Sequence, residues 1–167
     1  ILICAMNPCP CGWNGDPDHF CRCSTLDIKK YMRRLSGPLI DRIDMQIRVP
    51  RVKYDELSSK RKNEPSSVIR ERVSAAREIQ IKRLKKYHLF CNAQMNHKLI
   101  QELCILEADA EELLKAVFET KKLSARSYDR IIKVGRTISD LDGGKELISA
   151  RHIGEAIKLR GDFDIDN

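Results

Sequence analysis

The sequence predicts the end of an α/β core followed by an all-helical bundle. Three features predict it: a short apolar run from Ile1 to Ala5 that ends on Asn7 and Pro8, four cysteines gathered between Cys9 and Cys23, and capped helical periodicity from Ser66 onward. An apolar run that opens without a turn or cap and ends on a polar residue has the character of a buried parallel strand. Ligands of open α/β sheets sit beyond the carboxyl ends of the strands, so Asn7 stands where a phosphate-bearing ligand is expected. The expected boundaries are residues 1–50 for the core segment, 51–65 for a linker, 66–160 for a helical domain and 161–167 for an acidic, frayed tail.

After the cysteines, Ser24 and Asp27 have the spacing of a capping box. Ile28, Tyr31, Met32 and Leu35 then recur at helical spacing, and Lys29, Lys30, Arg33 and Arg34 occupy the opposite face. Gly37 and Pro38 stop this helix, and a short helical turn through Arg42 leads into Met45 to Val49, whose alternation predicts a strand ended by Pro50. Charges dominate from Arg51 to Ser67, around Asn63-Glu64-Pro65, which reads as a linker with at most a helical turn near Tyr54 to Leu57.

The remainder reads as helices. One begins at Ser66 or Ser67 and runs to about Leu89, with Ile69, Val73, Ala76 and Ile79 on one side and a basic series from Arg70 to Lys86 on the others. Asn96 caps a short helix. Asp109 with Glu112 opens another through Phe118. Ser124 caps a helix with Tyr128, Ile131, Ile132, Gly135 and Ile138 inward, Gly143-Gly144 breaks the chain, and Ser149 starts a last helix bearing Ile153, Ala156 and Ile157.

A net charge of +7 favours an anionic partner such as nucleic acid or nucleotide phosphate. With no secretory signal and no apolar run long enough to span a bilayer, the chain reads as soluble and cytoplasmic, without a membrane partner. Seven cysteines, four of them clustered, fit a reducing compartment and a metal better than a secreted disulfide framework. Cys9, Cys11, Cys21 and Cys23 can supply a tetrahedral thiolate site for Zn2+, with Gly12, Asn14-Gly15 and Asp16-Pro17 as the turn residues of a small knuckle at 9–23. His19 is a substitute ligand. The paired C-x-C spacing is less usual for zinc than C-x-x-C, so free thiols, a disulfide or another metal stay open. Four thiolates leave no open position, which argues against a catalytic zinc.

Taken singly, Asn7 is a turn residue before proline, and Arg42 and Arg126 are surface or ion-paired arginines. As an ordered set they acquire a family. The segments Ala5 to Gly12, Arg34 to Asp44 and Leu123 to Ile131 closely resemble the magnesium-chelatase-like AAA+ ATPases of the YifB/ComM type. The resemblance implies the C-terminal part of a AAA+ core with a cysteine-rich insert, followed by a helical lid. It matches Asn7 to sensor 1, Arg42, within a segment at 36–44, to the arginine finger offered to a neighbouring subunit, and Arg126 to sensor 2 in the lid. It implies ATP and Mg2+ as cofactors, a hexameric ring, and work on DNA by branch migration. A forked guanidinium suits charge spread over phosphoryl oxygens, and Arg126 falls in the first turn of its helix, where N–H groups already favour an anion.

The departure from the family pattern is that no G-x-x-x-x-G-K-S/T occurs in the sequence, and no apolar strand ends in paired acids to hold magnesium. By itself this chain is therefore expected neither to bind ATP well nor to hydrolyse it. Two other readings stand beside the DNA motor. One is a magnesium chelatase subunit driving metal insertion into a porphyrin, against which the cysteine knuckle speaks. The other is a zinc-containing nucleic-acid-binding module without enzymatic activity. Exposed apolar surface along Ile1 to Ala5 is expected to make the chain self-associate.

Overall fold

The structure, a computed structural model, describes residues 1–52, 54, 58 and 63–161. They fall into two compact units. The first holds residues 1–43 and the described residues of 48–60, the second Asp44–Ile47 and the described part of Arg61–Gly161.

In the first unit, the cysteine loop leads into α1 (Thr25–Met32) and the single turn α2 (Gly37–Ile40). The expected capping box forms: Ser24 Oγ accepts the Asp27 N–H at 3.2 Å, and the Asp27 carboxylate accepts the Ser24 N–H at 3.1 Å. Ser36 caps α2 in the same way, accepting from the Leu39 N–H, and Pro38 sits in the first turn, where its missing N–H costs nothing.

The α/β character expected of this segment does not form. Among the described residues the strand-like pairing is one isolated parallel bridge, Leu106 with Ile148, in the other unit. Ile1 to Ala5 is irregular, with Ile1, Leu2 and Ile3 exposed. Met45 to Val49 is irregular too, tied by one backbone bond from the Gln46 N–H to the Leu159 carbonyl at 2.7 Å. A strand takes its hydrogen bonds from a neighbour, so alternation or apolarity alone cannot hold either segment extended. The predicted turn near Tyr54 to Leu57 and the frayed tail lie almost wholly outside the described residues.

The second unit is helical: α3 (Ser66–Leu84), 3-10 turns at Lys85–Tyr87 and Asn92–Gln94, α4 (His97–Leu103), α5 (Ala108–Thr120), α6 (Ala125–Leu141) and α7 (Ala150–Leu159). Its core gathers Leu84, Met95, Ile100, Leu114, Ile131, Ile132, Ile148 and Ile153, with Tyr128, Ile138 and Ile157 packed against it. Asn96 and Ser124 cap α4 and α6 as their spacing predicts.

Three details differ from expectation. The long helix stops short of Leu89: His88 turns left-handed (φ 56°), and its N–H and that of Leu89 bond back to the Lys85 and Leu84 carbonyls, closing the end as a Schellman motif. Only the later part of α3 is buried, through Ala76, Gln80 and Leu84, while Ile69 and Val73 remain exposed. Helix α5 begins ahead of Asp109, capped at Glu107, whose N–H bonds the Ile148 carbonyl at 3.0 Å, so a long-range bridge sets its start.

Beneath the α3–α6 contact lies a charged network. Asp140 accepts two bonds from Arg83, at 2.8 and 2.7 Å, one from Asn92 at 2.8 Å and one from Arg136 at 3.3 Å. Arg136 also donates to the carbonyls of Glu146 and Lys145, which fixes the loop after Gly143-Gly144. Burial and the Arg83 charge push the Arg136 guanidinium below its usual value, and Asp140 opposes that shift. Asp140→Ala would leave two guanidiniums without their carboxylate. Breaking such a buried pair is expected to cost about 3–5 kcal/mol, read as a lower urea midpoint. Asp140→Asn, which keeps the shape and an acceptor, is expected to cost less.

Candidate metal centre and nucleotide-sensing residues

The sequence between Pro8 and Ser24 is poor in helix formers and rich in turn residues, and it folds as a loop around its sulfurs. Gly12, at φ 84°, closes a turn whose N–H bonds the Cys9 carbonyl at 3.0 Å, and Gly15, at φ 80°, bends the chain again. Both conformations are ones that side chains resist. The turns bring Cys9, Cys11, Cys21 and Cys23 together, with one sulfur from each inside a 4.8 Å group. Cys9 is fully buried.

A tetrahedral thiolate site with bonds of about 2.3 Å sets its sulfurs about 3.8 Å apart. Here Cys9 lies 3.4 Å from Cys11 and 3.7 Å from Cys21, and Cys11 lies 3.6 Å from Cys21. These separations fit a small ion at the centre, and the Asn14 N–H supports the Cys9 sulfur at 3.3 Å. The four cysteines could therefore hold a metal ion. All are free thiols, so the disulfide alternative has no counterpart in the structure.

The cluster is electrostatically uneven. The Trp13 N–H, aided by that of Arg22 and by neighbouring thiols, lowers the Cys11 thiol to about 6 against the opposition of burial. Cys23 is pushed up to about 12: the Cys11 N–H draws it down, but burial and bonding to the Cys11 and Cys9 sulfurs outweigh that pull.

His19 is not part of this group of ligand atoms. Its ring stacks on Trp13, with centroids 4.2 Å apart and planes 14° from parallel, and Arg51 reaches it at 3.2 Å. Asp16 accepts the backbone N–H groups of Asp18 and His19 at 2.8 and 2.9 Å, which holds its carboxyl below the usual range, chiefly through the Asp18 bond. This Trp13–His19–Arg51 group was not legible in the sequence, because Arg51 arrives from 32 residues beyond His19. The available signal was a lone tryptophan among turn residues.

Asn7 and Arg42 belong to the first unit and Arg126 to the second. Asn7 is exposed, and its carboxamide lies beside Gly12, where an added Cβ would come within 3.8 Å of it. Arg42 is exposed just after α2, its guanidinium donating at 2.9 Å to the Pro38 carbonyl of its own turn. Arg126 is exposed in the first turn of α6, next to the Ser124 cap. Two further residues are notable. Asp44, two places beyond Arg42, is ion-paired with Arg130, one helical turn beyond Arg126.

Comparison with known proteins supplies the context of these residues. The family described as magnesium chelatase, subunit ChlI C-terminal, matches residues 63–160, and magnesium chelatase, subunit ChlI, matches residues 1–57. The competence protein ComM of Haemophilus influenzae is 38% identical over 161 residues, covering 95% of this chain and 30% of its own length. The uncharacterized YifB proteins of Salmonella typhimurium and Escherichia coli are 37% and 35% identical with the same coverage. The chain thus spans about a third of the length of these relatives. With a family match over more than half its residues, and similarity to ComM and YifB along nearly all of it, the chain belongs to the magnesium-chelatase-like AAA+ ATPases of the YifB/ComM type.

Proposed function

We propose that the chain is the sensing and lid portion of a ring-forming AAA+ ATPase that couples ATP hydrolysis to remodelling of DNA, by branch migration of recombination intermediates. In this reading residues 1–50 end the ATPase core, 51–65 link it to the lid, and 66–160 form the lid. ATP and Mg2+ would be held by segments of the whole protein that these residues do not supply. Asn7 would orient the attacking water or the γ-phosphate, Arg126 would reach that phosphate from the lid, and Arg42 would reach nucleotide on the neighbouring subunit. A finger that works across a subunit boundary needs an oligomer, and a hexamer is the expected ring.

The observation that carries the DNA part is the exposure of most of both basic series, Arg83 excepted. Lys29 and Lys30 on α1 and Arg33 and Arg34 just beyond its end are exposed, and so are Arg70, Arg77, Lys82, Lys85 and Lys86 on α3 and its continuation. Phosphate contacts need cations on the surface, and these are available. The relative described as a competence protein adds support. Cys9, Cys11, Cys21 and Cys23 would hold a structural zinc that fixes the loop after Asn7. No described helix is long and apolar enough to cross a membrane.

The family descriptions favour a second reading, a subunit that drives magnesium into a porphyrin. The two are separated by the ATPase rate of the full-length protein measured with branched DNA, with linear duplex and with a porphyrin. Stimulation by branched DNA by severalfold is the expected result. A rate indifferent to every DNA and raised by porphyrin would replace the DNA reading with the chelatase one.

A further inference from the structure

The cysteine loop carries an outer face that coordination of a metal leaves unused. Trp13 and His19 form a flat pair on it, and the Arg51 guanidinium lies 5.9 Å from the Trp13 ring centre while reaching His19 at 3.2 Å. Phe20, the next residue, is 86% exposed, the most exposed ring in the described chain. Arg22, between two of the cysteines, is exposed, and Arg48 lays its guanidinium across Gly15, 2.9 Å from where a Cβ would stand. A phenylalanine this exposed gains nothing from water, and it is held on a loop pinned by four thiols rather than on a loose tail. Two rings already stacked and braced by an arginine lose little freedom on receiving a further ring.

We propose that this face is a binding site for single-stranded nucleic acid. A base stacks on Phe20 or on the outer side of the Trp13–His19 pair, and the adjoining phosphates meet Arg22, Arg48 and Arg51. Bases in a duplex are already stacked on their neighbours, so protruding rings select unpaired ones, and stacking tolerates any sequence. The nearby Asp16 is turned onto the N–H groups of its own loop, which removes one carboxylate from the path of the phosphates. The proposal rests on the DNA-remodelling reading and specifies it: a branch point exposes unpaired bases, and this site would hold them.

Trp13 is the only tryptophan in the sequence, so the tryptophan emission of the chain, excited selectively over tyrosine, reports on this face alone. A short oligothymidylate, titrated into the chain loaded with zinc, is expected to quench Trp13 saturably, and a duplex of equal length to compete poorly. Three arginines on phosphates predict a log–log salt slope of about −2 for a single strand. Phe20→Ala is expected to weaken binding about 5- to 160-fold, the range seen on losing one stacking ring. Because Phe20 is exposed, the circular dichroism should not change. Arg22→Ala serves as the second variant and should lower the salt slope by about 0.7.

Anisotropy of a labelled oligothymidylate separates the outcomes. Binding that leaves Trp13 emission unchanged, or that Phe20→Ala and Arg22→Ala do not weaken, overturns this site and leaves DNA remodelling standing on the other basic faces. No binding of the oligothymidylate at all overturns the site as well. Failure of the broader reading shows elsewhere, as an ATPase of the full-length protein that branched DNA does not stimulate.

Discussion

Arg42→Ala in the full-length protein is expected to lower the steady-state ATPase rate by about a thousandfold or more while leaving the fold intact. The size follows from the role proposed for Arg42: an arginine finger stabilises charge that develops on the transferring phosphoryl group, and its loss typically costs about three to five orders of magnitude. Preservation of the fold follows from the structure. The side chain is exposed, and its hydrogen bond goes to the Pro38 carbonyl of its own turn, so its removal strands no buried partner. Surface substitutions of this kind stay within about 0.5 kcal/mol of neutral. The thermal midpoint and nucleotide affinity should therefore hold while kcat collapses, a combination that a structural arginine would not produce. Arg42→Lys should not restore the rate, because a point charge does not reproduce a forked pair of donors. A kcat within a few-fold of wild type would remove Arg42 from the finger role, whatever becomes of the DNA reading.

How far the sequence disclosed this depends on the range of the interactions. Ser24 with Asp27, Asn96 and Ser124 act over three residues, and each caps the helix that its spacing predicts. Ile131, Ile132, Gly135 and Ile153 face inward as their periodicity requires. The four cysteines were legible as a group because turn residues alone can gather them. Interactions that span the chain were not legible. Ile1 to Ala5 and Met45 to Val49 carry strand patterns, yet a pattern does not supply the neighbour a strand needs. The start of α5 depends on the Ile148 carbonyl, about forty residues from Glu107. Arg136 and Asp140 sit four residues apart, which sequence alone reads as an exposed helical pair. They are buried because Arg83 and Asn92 meet them from elsewhere in the unit. Asn7, Arg42 and Arg126 were legible only as a set: each is an ordinary exposed side chain, and the common purpose proposed for them comes from the family resemblance.

Removal of metal should have the largest structural effect in the first unit and little in the second. The loop from Cys9 to Cys23 has one fully buried cysteine and otherwise partly covered sulfurs, and its neighbouring Trp13, Phe20 and Ile1 to Ile3 are exposed. Nothing there amounts to a hydrophobic core, whereas the helical unit has one of its own from Leu84 to Ala156. On the zinc reading proposed above, coordination supplies the stability of the loop, and structural zinc supplies apparent free energies of about 10–16 kcal/mol in small thiolate-bearing peptides. The protein is expected to carry one zinc per chain. A strong chelator should shift Trp13 emission and open the loop to protease while leaving the helical content of the second unit near its starting value. Cys21→Ser should weaken zinc binding by more than the 10- to 100-fold typical of losing a mere outer-sphere partner, because it removes a sulfur 3.6–3.7 Å from two others. Cys91→Ser, outside the group of four, should not weaken it. The sign of the pH dependence follows from the ligands: thiols must give up their protons to bind, so affinity falls as the solution is acidified. Metal analysis showing less than a tenth of an ion per chain after purification without chelator, together with an unchanged Trp13 spectrum on adding zinc, would leave the four sulfurs as a reduced thiol cluster.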